Sequence, residues 1–75
     1  MPYRTPDDLP ESVRAVLPKH AQRIYQAAFN HAWIEYEDSA DRAGDAPREA
    51  TAHKVAWAAV KRQYEKSGGR WRRRP

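Results

Sequence analysis

Between Ala21 and Tyr36 apolar side chains recur at three- and four-residue intervals. Ala21, Ile24, Tyr25, Ala28, Phe29, Ala32, Trp33 and Tyr36 cover roughly half of a helical wheel. Lys19, Arg23, Gln26, Asn30 and Glu37 lie opposite and read as a solvent face. A second period-3.6 stripe follows in Ala52, Val55, Ala56, Ala59, Val60 and Tyr64, with Lys54, Lys61, Arg62 and Glu65 off it. Its alanines permit close approach by another helix, and Trp57 at its edge would cover the seam. Trp33 and Trp57 are both expected to be largely buried, as aromatics that supply the bulk of a small core.

Start and stop signals divide the chain into three predicted helices, over about residues 9–17, 18–38 and 46–67. Asp8 with Glu11 three residues later reads as a capping box, and Pro10 suits a first helical turn. Val13, Val16 and Leu17 give the first helix its apolar edge, and Pro18 ends it because the residue before a proline avoids helical geometry. The same proline can open the second helix. Gly44 with Asp41 and Asp45 marks a polar loop over 39–46, after which Asp45 can cap the third helix and Pro47 can sit in its first turn. Gly68 and Gly69 read as that helix's left-handed C-terminal cap. Tyr3–Arg4–Thr5 and Arg70–Trp71–Arg72 each alternate large and charged groups, so the fold class allows a short two-stranded ribbon pairing the two chain ends; two frayed termini are the alternative.

Length changes this picture only by limiting it. Seventy-five residues allow one domain, 1–75, which would bury roughly 60% of the surface its unfolded chain exposes. With no Cys there is neither a disulfide nor a thiolate metal site, which suits a reducing compartment. Met1–Pro6 carries no apolar h-region, and the longest apolar run, Val55–Val60, is far short of a bilayer span of roughly 20 residues. A cytoplasmic monomer without a transmembrane segment is expected.

Charge is distributed unevenly. The formal net charge of +4 equals the contribution of Arg70, Arg72, Arg73 and Arg74, which lie in a basic tail, 68–75, free of acids. Glu35, Glu37, Asp38, Asp41, Asp45 and Glu49 form an acidic stretch opposed only by Arg42 and Arg48. The molecule is therefore expected to be an electric dipole.

Catalytic chemistry finds no foothold in this pattern. Ser12, Ser39, Ser67, Thr5 and Thr51 are each accounted for by turns or helix ends, and no Gly-rich phosphate loop exists, so no enzyme and no cofactor are expected. His31 and Glu35 have ligand spacing but lack a third partner, while His20 and His53 read as boundary residues, so no metal is expected either. Testing Asp41 as the first position of a calcium loop puts Ala43, Ala46 and Ala52 where an oxygen ligand, the turn glycine and the bidentate Glu are required. The acidic loop, Glu37, Asp38, Asp41 and Asp45, is then a solvated surface that can face a partner. The tail is the better binding candidate. Arg70, Trp71, Arg72, Arg73 and Arg74, extended by Lys61, Arg62 and Lys66, interleave cations with an aromatic as single-strand binders do. The same residues would suit an acidic protein or lipid surface, and Trp71 would equally serve as a plug of the core.

Met1-Pro-Tyr3, Asp8-Leu-Pro-Glu-Ser-Val13, Leu17-Pro18, His20-Ala-Gln22, Ile24-Tyr25, Ala28-Phe29-Asn30, Ala32-Trp33 and Thr51 to Lys61 stand together along almost the whole chain. In these segments, above all Ala-His-Lys-Val-Ala-Trp-Ala-Ala-Val-Lys, the sequence resembles the ChaB family of small bacterial proteins described as cation transport regulators. Loop 39–46 and the Arg-rich tail depart from the family pattern. The resemblance implies a small, mainly helical fold. It also implies a non-enzymatic regulatory or adaptor role, acting by protein contact on a cation/proton antiporter of the ChaA type or on an associated protein. It supplies no catalytic residue. Nucleic-acid binding through the basic tail is the alternative, which the family's insect-virus members, for which such binding is proposed, keep open.

Overall fold

A computed structural model of the chain describes residues 2–38, 40 and 47–75. Along the described residues a 3-10 turn at Pro6–Asp8 leads into α1 (Glu11–Arg14), α2 (Lys19–Glu35) and α3 (Arg48–Gln63), and the chain finishes in the antiparallel strands β1 (Tyr64–Ser67) and β2 (Arg70–Arg73). The three-helix, mainly α class read from the sequence holds, with a two-stranded ribbon added.

Each α-helix starts after a proline. Pro10, Pro18 and Pro47 all take extended backbone at the N-cap, one position earlier than a first-turn proline. Asp8 does not cap α1. Its carboxylate reaches back to accept from the Thr5 N–H (3.3 Å), which makes it the third residue of the preceding 3-10 turn. Asp45, expected as the cap of α3, lies outside the described residues, as does most of loop 39–46.

The helices end earlier than their apolar periodicity suggests. α2 stops at Glu35, and Tyr36 leaves helical geometry at φ −102°, ψ 31°. α3 stops at Gln63, where Tyr64 turns to extended geometry at φ −128°, ψ 152°, with a ring only 4% exposed. Running α3 on to Ser67 would deny Arg70–Arg73 a strand partner. Tyr64 pairs with Arg73, Glu65 with Arg72, Lys66 with Trp71 and Ser67 with Arg70. The two-residue connection Gly68–Gly69 has φ of +57° and +80°, the left-handed pair that a tight hairpin with the native strand twist requires. These glycines are thus a hairpin turn instead of a helix cap.

The ribbon therefore joins β1 to β2 and leaves the N-terminal segment elsewhere. Tyr3 lies along α2, where its N–H donates to Asn30 Oδ1 (2.8 Å) and its carbonyl accepts from Asn30 Nδ2 (2.8 Å) and Gln26 Nε2 (2.9 Å). Its ring rests on Phe29 at 4.7 Å. With both backbone groups of Tyr3 satisfied by side chains of α2, nothing remains to drive pairing with the C-terminal strand. Gln26 and Asn30, read as solvent-facing, are half-buried clamps. Gln22 does similar work while buried, donating from Nε2 to the carbonyl of Leu17 (2.9 Å), an acceptor left open where the short α1 segment ends.

The core lies between α2 and α3 and is closed at one end by Leu9, Val13 and Leu17. Tyr25, Phe29, Ala32, Ala52, Ala56 and Val60 are fully sealed. Trp33 and Trp57 are only half-buried and pack against the outside of this cluster, contrary to the expectation that both lie inside. Their indoles exceed the space between two helices brought together over alanine. They cover the seam's borders: Trp33 stacks on Phe29 (5.9 Å) and Trp57 meets Tyr25 edge-on (5.1 Å, 80°). Phe29→Ala should lower the free energy of unfolding by about 3–5 kcal/mol in urea denaturation, because an enclosed site cannot collapse over the void. Gly69→Ala should cost about 1 kcal/mol in the same measurement, since a Cβ there meets nothing within 4 Å and the penalty is that of a left-handed residue alone.

Candidate functional site

Strand pairing sorts the basic tail into two faces. Side chains alternate along each strand, so Tyr64, Lys66, Trp71 and Arg73 project to one side of the hairpin and Glu65, Ser67, Arg70 and Arg72 to the other. Trp71 leans on Trp57 of α3, with ring centroids 5.4 Å apart. It is half-buried against the core, so the plug reading of this residue holds in part, and it anchors the hairpin to α3.

The arginines are not equivalent. Arg72 Nη2 lies 3.1 Å from Glu65 Oε2, its cross-strand partner, and Arg74 Nη1 lies 3.9 Å from Glu65 Oε1. Arg74 also donates from its backbone N–H to Gln63 O and from Nε to Lys61 O, both at 2.8 Å, which extends the hairpin's attachment by one residue. Lys61, Lys66, Arg70 and Arg73 are exposed, and none has an ion-pair partner among the described residues. Arg62 stands apart from them, lining an open groove between α2 and α3 together with His31 and Glu35. Of the eight basic-patch residues named from the sequence, Lys61, Lys66, Arg70, Arg73 and the separate Arg62 have no ion-pair partner among the described residues, Arg72 and Arg74 meet Glu65, and Trp71 is seated on Trp57.

Two clefts flank Trp71. One, of about 380 Å³, is lined by Val16, Trp57, Lys61, Lys66 and Trp71. The other, of about 390 Å³, runs along Ala15, Val16, Leu17 and Pro18 to Arg70. Val16, expected on the apolar edge of the first helix, is 39% exposed between them. Its part in this surface had no local signal, because an exposed valine and a core valine look alike until the hairpin is placed beside Ala15–Pro18.

The acidic loop offers less geometry. Glu37 and Asp38 are exposed, and Asp38 Oδ1 accepts from the Ala40 N–H (2.9 Å) in a local turn; Asp41 and Asp45 lie outside the described residues. Among the described residues no three His, Asp or Glu side chains converge as a metal site would require. His31 and Glu35 face each other at 3.4 Å on an exposed surface. His53 is a boundary residue as read, its Nδ1 sharing a hydrogen bond with the Tyr25 hydroxyl and its Nε2 lying 3.6 Å from Glu49 Oε1, whereas His20 is exposed and its Nδ1 shares a hydrogen bond with the Tyr64 hydroxyl (2.8 Å).

Burial raises the Tyr25 phenol well above its ordinary value, and burial followed by the Glu49 charge raises that of Tyr3. Folding therefore favours neutral phenols. The stability they lend is complete below the unfolded pKa of about 10 and is lost as pH rises beyond it. Denaturation midpoints should fall steeply above about pH 10, and Tyr25→Phe should flatten that alkaline limb relative to the decline from pH 8 to 9.

Three kinds of similarity bear on this geometry. The family model for ChaB matches residues 9–74. A protein of Escherichia coli strain K12 named "Putative cation transport regulator ChaB" is 67% identical over 66 residues, covering 88% of this chain and 87% of the relative, and a Shigella flexneri protein of the same name matches equally. The solution structure by NMR of a protein so named superposes with a TM-score of 0.83 at 59% identity, spanning 99% of this chain and all of the other.

Proposed function

The chain belongs to the ChaB family, and from that premise we propose that it is a non-enzymatic regulator of a cation/proton antiporter of the ChaA type, acting by direct protein contact at the cytoplasmic side. The relatives' name supports a regulatory role in cation transport. No helix among the described residues is long and apolar enough to cross a membrane, so a transporter would be met from outside the bilayer.

One observation carries the contact reading. The hairpin is a braced element, with Trp71 locked to Trp57 and Arg74 bonded to α3, and its Lys66, Arg70 and Arg73, with Lys61 of α3 beside them, lack ion-pair partners among the described residues. A rigid, uncompensated basic surface loses little conformational entropy on docking and attracts acidic segments at long range. Regulation then means that the docked protein favours one transporter conformation by differential contact.

Everted membrane vesicles containing a single overproduced antiporter provide the test. Added purified chain should shift the cation concentration for half-maximal proton exchange by about fivefold or more, the scale of a coupling free energy near 1 kcal/mol. An exchange curve that stays unchanged at saturating protein would contradict the reading.

A further inference from the structure

The surface around Trp71 combines features that suit one kind of occupant. Val16, Pro18, Trp57 and Trp71 set apolar side chains into the two clefts, whose lining is otherwise polar to about the same extent, and Val16 is one of only two large aliphatic side chains substantially exposed among the described residues. The rim is cationic. Lys61 and Lys66 border one cleft and Arg70 the other, while no carboxylate of the described residues lines either. Val16 and Trp71 line both clefts, of about 380 and 390 Å³, which therefore lie side by side as a trough divided by an aromatic ridge.

We propose that this trough is the docking site for an acidic protein segment, one that lays an aliphatic side chain beside Trp71 over Val16 and faces Lys61, Lys66 and Arg70 with carboxylates on either side. The proposal rests on the preceding reading and names the chemistry of the partner segment. Charge complementarity selects the occupant. A second copy of the chain would have to present its own +4 net charge to this cationic rim. A nucleic acid would draw on arginine–phosphate pairing, yet Arg72 and Arg74 are already turned to Glu65. Single-strand binders also offer open aromatic faces to successive bases, whereas Trp57 is covered by Trp71 on one side and by Tyr25 on another. A buried aliphatic contact ringed by partly exposed charges is the usual anatomy of a small protein docking site.

A defined probe tests this without the transporter. A twelve-residue peptide with one central leucine flanked by three glutamates on each side is titrated into the ¹⁵N-labelled full chain, with the leucine-to-glycine peptide and a dT12 oligonucleotide in parallel. The acidic leucine peptide should move the indole N–H signals of Trp57 and Trp71 and the amide signals of Val16 and Arg70. The glycine peptide should bind about tenfold more weakly, the worth of one buried aliphatic side chain. The variant K61Q/K66Q/R70Q should weaken the leucine peptide at least about tenfold with an unchanged denaturation midpoint, since all three side chains are exposed. Equal affinity of the two peptides would overturn the proposal, as would tighter binding of dT12 at the same indoles or unchanged affinity of the variant. If the peptide binds as described while vesicle exchange is unaffected, the trough stands and the antiporter reading falls; the reverse pair of results removes the trough alone.

Discussion

The contact between α2 and α3 is made possible by residues that have almost no side chain. Ala32, Ala52 and Ala56 have no accessible surface, and their small size lets the two helices approach until Tyr25, Phe29 and Val60 are enclosed between them. Everything peripheral takes its position from this seam. Phe29 supports Trp33 on one border and the Tyr3 ring on another, and Arg48 at the start of α3 sits over the Trp33 indole (4.1 Å) while donating to that residue's carbonyl (2.7 Å). Tyr25 fixes Trp57 edge-on, Trp57 carries Trp71, and Trp71 fixes the hairpin. The hairpin surface is thus tied to the alanine seam through Tyr25, Trp57 and Trp71.

A domain this small gains little from its core alone, and the remaining order comes from polar groups placed where short elements leave the backbone unsatisfied. α1 has one helical turn, and in the segment that follows it the carbonyl of Leu17 is taken up by Gln22 of α2. The carbonyl of Leu9 is met by Arg14 Nε at 2.9 Å. Tyr3 is held by the Asn30 amide at both its N–H and its carbonyl. Such bonds contribute about 1 kcal/mol each, and in a domain of this size a few of them decide whether the segments outside α2 and α3 are ordered.

The two long helices and most of their buried faces were legible in the sequence because amphipathic periodicity reports directly on packing. Ala21, Tyr25, Phe29, Ala32, Ala52, Ala56, Val60 and Tyr64 all fall on the stripes read from the chain and are all buried. Periodicity could not tell how far each helix runs, since Tyr64 continues the α3 stripe although it already belongs to β1. The hairpin did leave a signal: Gly68–Gly69 between two short segments that each put one aromatic among charges is a two-residue turn pattern, and it competes with an equally good reading as a helix cap. The roles of Asn30, Gln26 and Gln22 left none. A polar residue at the border of an apolar face is written the same way whether it meets water or another segment's backbone. For the basic patch, residue types were readable and pairing was not, because which arginine meets Glu65 depends on strand register.

What distinguishes the hairpin surface from an ordinary charged tail is its attachment to α3 through Trp71 and Arg74, the apolar side chains set into its clefts and cations without ion-pair partners among the described residues. The most direct measurement replaces Arg70 with the photo-reactive p-benzoylphenylalanine in cells that express the antiporter, and compares it with the same replacement of Arg23 on the exposed face of α2. A light-dependent adduct from position 70, absent from position 23 and mapping by mass spectrometry to an acid-rich cytoplasmic segment of the antiporter, is the predicted result. No antiporter adduct from position 70, or equal adducts from both positions, would contradict it.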